Sequence, residues 1–180
     1  MRAGFTLTEM MLVVAVIGLM SVVVAGSLDS LLPKERLNTA VRNLTASLRN
    51  ARSEAVSRSL EFLIEYDIEG DRYRMVTPFA RDGGRFDEEE MDEEERFFMQ
   101  WETLPEGVSL QSVTITGTSY SDGRCFARFD PRGAASDHQV VLAQLRYESY
   151  YTVEVMALTG TFKFHRGIFE RSAPDDGDFN

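Results

Sequence analysis

Residues 5–26 read FTLTEMMLVVAVIGLMSVVVAG, an apolar run interrupted by a single charge, Glu9. An α-helix rises about 1.5 Å per residue and the hydrocarbon core of a bilayer is about 30 Å thick, so this run predicts one transmembrane helix. Arg2 precedes it, and the next basic residue is Lys34. That asymmetry places the short leading flank in the cytoplasm and the rest of the chain outside it, although Lys34 and Arg36 blunt the bias.

Three readings compete for the segment. A secretory signal peptide has a shorter apolar core and a small-residue cleavage site, for which Val24-Ala25-Gly26 is a poor match, and an acid inside the core is foreign to it. A plain membrane anchor accepts the length but not Glu9, because a carboxylate in lipid costs at least about 2.5 kcal/mol unless it finds a partner or snorkels to the interface. The third reading uses every residue. Met1-Arg2-Ala3-Gly4, then Phe5-Thr6-Leu7-Thr8-Glu9, then Met10 to Gly18 resembles the class III leader of type IV pilins and type II secretion pseudopilins. The shared parts are a very short basic leader, a glycine before an aromatic, a glutamate five residues into the mature chain, and a long apolar helix.

That resemblance implies several things. A membrane-embedded prepilin peptidase cuts between Gly4 and Phe5, and the new Phe5 amino terminus is methylated. Glu9 then pairs with the Phe5 amine of a neighbouring subunit, which replaces two unpaired charges in lipid by one neutralised pair. Glu9 becomes an assembly residue with no catalytic role.

Residues 27–33 carry polar breaks and Pro33, after which Leu37, Val41, Leu44, Leu48, Ala51 and Ala55 recur at spacings of four and three, the stripe of an amphipathic helix. Pro33 suits a first turn or a bend, so span and stripe are compatible with one long kinked helix. Arg36, Arg42, Arg49, Arg52 and Arg58 occupy other faces of this helix. They read as a solvated face in preference to a DNA-binding stripe.

From Leu60 the pattern changes to short strands: 60–66 and 73–77 as a hairpin around Glu69-Gly70-Asp71, then 97–102, 108–116, 124–129, 138–147, 151–157 and 161–166. The expected fold is α+β, a long N-terminal helix, transmembrane then amphipathic, packed on an antiparallel sheet pair as in pilins. The divisions are a leader 1–4, an assembly helix 5–26, its amphipathic continuation 27–60, a β-rich domain 61–171 and an acidic tail 172–180. Within the domain, an acidic loop over residues 82–96 is expected to stay mobile and solvated, because like charges packed so densely repel. A calcium site there, or at Asp175-Asp176-Gly177-Asp178, is conceivable from the oxygen ligands but lacks a complete loop pattern.

Asn50 to Val56, Leu104-Pro105-Glu106-Gly107-Val108, Phe129 to Ser136 and the turn Leu158-Thr159-Gly160-Thr161 resemble the GspH/FimT minor pseudopilins. The resemblance implies a minor pseudopilin of a type II secretion system, in the inner membrane with its amino terminus cytoplasmic and its domain periplasmic. Its partners would be other pilin-like subunits, the prepilin peptidase, the inner-membrane assembly platform and the bilayer. A FimT-like minor pilin of a type IV pilus, serving pilus biogenesis or DNA uptake, and a membrane-tethered adhesin or receptor acting alone are the alternatives.

Composition narrows the remaining classes. The chain has 180 residues, 43% hydrophobic and 27% charged, enough for one domain with a core. Its net charge of −10 disfavours nucleic acid as a partner. That argument weakens once the acidic loop, which holds most of the excess, is set aside. Cys125 has no disulfide partner, and His138 and His165 are too few for a zinc site. No serine or cysteine has a recognisable base partner, so an enzyme is not expected, and neither a cofactor nor a metal is implied.

Overall fold

The computed structural model describes residues 6–169, with the side chains of all of these except residues 22–34. Helix α1 runs from Leu7 to Arg58 without interruption, 52 residues, or roughly 78 Å. Residues 27–33 do not break it, so the apolar segment and the amphipathic stripe share one helix. It ends at Ser59, which is left-handed (φ 55°), while the Leu60 N–H reaches back to the Ala55 carbonyl at 3.2 Å. This is the Schellman pattern that satisfies a helix's last carbonyls.

The stripe is buried as its spacing predicts: Leu44, Leu48, Ala51 and Ala55 are wholly inaccessible, and Leu37, Ala40 and Val41 nearly so. What it covers is a pair of antiparallel sheets. The first holds β1 (Phe62–Asp67), β2 (Arg72–Ala80), β3 (Arg96–Phe98), β4 (Glu102–Thr103) and β7 (Arg124–Phe129), in the order β3-β2-β1-β7 with β4 also on β2. The second holds β5 (Ser109–Ile115), β6 (Thr118–Tyr120), β8 (His138–Gln144), β9 (Ser149–Val155) and β10 (Phe162–Arg166), in the order β10-β9-β8-β5-β6. Helix α1 contacts β1, β2 and β7 of one sheet and β8 and β9 of the other. It therefore covers the seam between the two sheets.

The eight expected strands become ten. The stretch 97–102 divides into β3 and β4, with Met99 to Trp101 between them. Strand β6, all of whose residues are exposed, lacks the apolar alternation by which a strand is read. Strand β8 stops at Gln144, and Leu145–Tyr147 form a short 3-10 turn where a continued strand was expected.

The acidic segment departs furthest from expectation, because it is built into the fold. Phe86 and Arg96 are both buried. The Arg96 Nε–H donates to the Thr77 carbonyl at 3.0 Å, and its guanidinium lies 4.7 Å from the centre of the Phe86 ring. Backbone bonds Ala80 N–H to Gly84 O and Arg81 N–H to Glu95 O hold both ends of the segment. Glu88 and Glu93 approach Arg96 at 3.4 Å while staying exposed. Repulsion is thus accommodated by pointing the acids outward around one aromatic and one cationic anchor.

A polar bridge joins the sheets inside the core. The Tyr66 hydroxyl of β1 lies 3.2 Å from His138 Nε2 of β8, and His138 Nδ1 lies 2.8 Å from the Ser136 carbonyl. A carbonyl only accepts, so Nδ1 carries the proton and Nε2 accepts from Tyr66. Burial lowers the His138 pKa from 6.5 to about 4. The unfolded chain therefore takes up this proton nearer pH 6.5 than the folded chain does. The stabilisation is full above that pH and is lost as pH falls towards 4, by about 1.4 kcal/mol per pH unit. Chemical unfolding of the full chain in detergent, repeated across this window, should show that slope, and His138→Gln should flatten it.

Candidate assembly surface

The first turn of α1 is organised by Thr6. Its hydroxyl accepts from the Glu9 N–H at 3.4 Å, and its carbonyl accepts from Glu9 and Met10. Thr6 and Glu9 thus stand at the cap and third helical positions, the spacing of a capping box, with the carboxylate near the positive end of the helix dipole. Glu9 is exposed, so its carboxylate is open to another molecule. Gly4 and Phe5, the expected processing residues, lie outside the described residues.

Beyond the cap, Leu7, Met10, Met11, Leu12, Val14, Ile17, Leu19 and Met20 are all more than half exposed. Because consecutive residues point about 100° apart, this run is apolar around the whole circumference. A helix apolar on every side is buried, either in lipid or among other helices. The Ser21 hydroxyl donates to the Ile17 carbonyl at 2.8 Å, which satisfies it within its own helix. Among the described residues no helix is long and apolar enough to cross a membrane. The expected span, 5–26, extends past the described side chains at both ends.

Elsewhere the groups that could do chemistry are committed to structure. On the outer face of the first sheet, Glu65 receives Arg74 at 2.6 Å and Arg124 at 3.3 Å, and Asp67 receives Arg72 at 2.7 Å. The guanidiniums of Arg72, Arg74 and Arg124 stand 4.5, 4.3 and 5.6 Å from the centre of the Trp101 ring. The hydrogen bond from Arg72 is the main force holding Asp67 below the usual carboxylate range. Cys125 is buried, and burial pushes its thiol up to about 11, which suits a packed thiol more than a nucleophile. His165 bonds Glu154 at 3.0 Å and stacks on Phe169. Among the described residues no group of three or more His, Cys, Asp or Glu could hold a metal.

The second half of α1 ends in a knot that ties three distant stretches together. The Arg52 Nε–H donates to the Gly133 carbonyl at 2.9 Å. Gly160, with φ +57°, packs so closely that a Cβ there would lie 2.5 Å from both the Gly133 carbonyl and Arg52 Nε. Asp130 shapes the middle stretch by accepting from the Arg132 and Ala134 N–H groups. The quoted motifs around Arg52, Asp130-Pro131-Arg132-Gly133 and Thr159-Gly160 thus meet at one point. Residues 40–159 match the family model of the type II transport protein GspH, a match that takes in two of these motifs whole and the third up to Thr159.

The chain belongs to the GspH family. Its fold is similar to two solved structures of the minor pseudopilin EpsH from the type II secretion system of Vibrio cholerae. One is 17% identical and covers 76% of this chain and 99% of its own, with a TM-score of 0.53. The other is 13% identical and covers 73% and 97%, with a TM-score of 0.50. At such identities the likeness is one of fold. No curated protein matches the chain. The matched region begins at residue 40, so this GspH-family assignment rests on the helix stripe and the sheets, independently of the apolar run.

The capping-box spacing Thr6-Leu7-Thr8-Glu9 is a signal that sequence reading passed over, and it gives Glu9 a local role beside any assembly role. The knot was less accessible, since nothing in the chain links residues 52, 133 and 160. Gly160→Ala places a side chain at a left-handed φ and against a backbone carbonyl. It should lower domain stability by about 1–3 kcal/mol, read as a shift of the unfolding midpoint, whereas Leu12→Ala should leave that midpoint unchanged.

Proposed function

We propose that this chain is a minor pseudopilin of a type II secretion system. The first half of α1 holds it in the inner membrane, amino terminus cytoplasmic and domain periplasmic. Cleavage between Gly4 and Phe5 by the prepilin peptidase and methylation of Phe5 prepare it to join other pilin-like subunits, brought together by the assembly platform. The observation that carries this reading is one helix with two surfaces: a stripe buried under its own domain and, continuous with it, a run apolar on every side. Lipid and a bundle of like helices both accept such a run, so the subunit can pass from one to the other with little change in solvation.

Glu9 supplies the register. An apolar helix alone can slide along its neighbours, whereas a carboxylate that must meet the Phe5 amine of the next subunit admits one axial position. Membership of the type II transport family supports the secretion reading over a type IV pilus subunit of the FimT kind. A tethered adhesin acting alone would need no such carboxylate.

Mass spectrometry of the mature chain should find a methylated Phe5 at the amino terminus, and a terminus after Gly26 would sink the processing step. Glu9→Ala should leave membrane insertion intact and cut recovery in sheared pseudopili at least fivefold. Deletion of the gene should block protein export; loss of twitching or DNA uptake with export intact would point to the type IV pilus instead.

A further inference from the structure

A groove of about 380 Å³ runs between α1 and the edge of the second sheet, lined among others by Val41, Arg42, Ala46, Arg49, Tyr151 and Phe164. Its floor is apolar and its rim is basic. Arg42 and Arg49 have no ion-pair partner among the described residues; Arg49 only lies 5.7 Å over the Phe162 ring. Arg166, exposed on β10 and on the same face of the strand as Phe164, likewise makes no ion pair among the described residues. Two half-exposed aromatics beside unpaired guanidiniums suit an acidic segment that carries an aromatic residue.

We propose that the occupant is this chain's own tail, residues 170–180. The tail reads ERSAPDDGDFN, with Glu170, Asp175, Asp176 and Asp178 against a single arginine, and with Phe179 after the last aspartate. Its starting point favours the groove. Register pairs Phe164 with Val153 and His165 with Thr152, so Phe164 faces α1 and His165 faces the other way. Phe169 stacks on His165 with ring centres 3.7 Å apart, which leaves the chain on the outer face of an edge strand. Eleven extended residues reach roughly 36 Å, against a spacing of about 4.8 Å between strands and about 10 Å between packed layers, so the tail is long enough to round that edge.

The other acidic segment of the same chain cannot serve. It is anchored by Arg96 beyond β2, whose Phe79 ring lies under Arg58. Arg58 is nine residues from Arg49, about half a turn round the helix, so the acidic loop belongs to the opposite flank. An acidic segment from another molecule meets a competitor tethered at an effective concentration in the millimolar range. In the unassembled subunit the tail covers this flank of α1, and a neighbour docking there must displace it.

The test uses the full chain, solubilised in detergent, carrying Ala46→Cys and Asp176→Cys; Cys125 is buried and stays out of the reaction. Mild oxidation should give an intramolecular disulfide, seen as a faster-migrating monomer on a non-reducing gel. Adding Arg42→Glu and Arg49→Glu should slow its formation about tenfold. Rates equal within twofold would overturn the proposal, as would a covalent dimer, which would seat a second copy in the groove. Independently, maleimide labelling of Ala46→Cys should speed up at least threefold when the chain is cut short after Phe169, and equal labelling would also overturn it. Both readouts concern the free subunit, so they stand or fall apart from export and processing.

Discussion

The domain depends on one stripe of helix. Among the described residues α1 is the helix that contacts strands of both sheets, and its wholly buried Leu44 and Leu48 belong to the same core cluster as residues from each. Each buried leucine contributes about 1.5–3 kcal/mol relative to exposure, so losing the helix would remove a large share of the roughly 5–15 kcal/mol that holds a domain folded. The helix is therefore a structural member of the domain, and its apolar extension is mounted on the most firmly held element available.

The polar contacts inside this frame set where the pieces go. Tyr66 and His138 link strands from different sheets, and Asp71, in the first hairpin turn, accepts from the Leu110 N–H at 2.8 Å to hold the start of β5. Arg52 closes the far end by gathering the loop after β7 and the turn before β10. Each contact joins segments far apart in the chain. Apolar burial supplies most of the cohesion while these contacts choose among the ways two sheets and a helix could stack.

Much of this was legible in the chain and some was not, for physical reasons. The stripe from Leu37 to Ala55 announced itself because helical period and burial coincide at every position. Strand β7 did the same at period two, with Cys125, Ala127 and Phe129 facing in and Arg124, Phe126 and Arg128 facing out. Strand β6 was invisible because pairing with β5 is all that makes it a strand. The acidic segment was misread because fifteen residues dominated by charge hide the two that matter, Phe86 and Arg96. Glu9 stood out as a charge in an apolar run, yet the threonine three residues earlier, which caps its helix, gave no such contrast. Gly160 is unremarkable until Arg52 and the Gly133 carbonyl are placed against it.

Because helix α1 is unbroken from Leu7 to Arg58, the apolar run and the domain are locked in phase. Inserting or removing one residue between Ser21 and Leu37 would turn the domain by about 100° relative to Glu9 and shift it by about 1.5 Å. In a helical array, where a subunit's azimuth decides which neighbours its flanks meet, the number of residues in that stretch is an address. A single-residue deletion there would change every lateral contact at once.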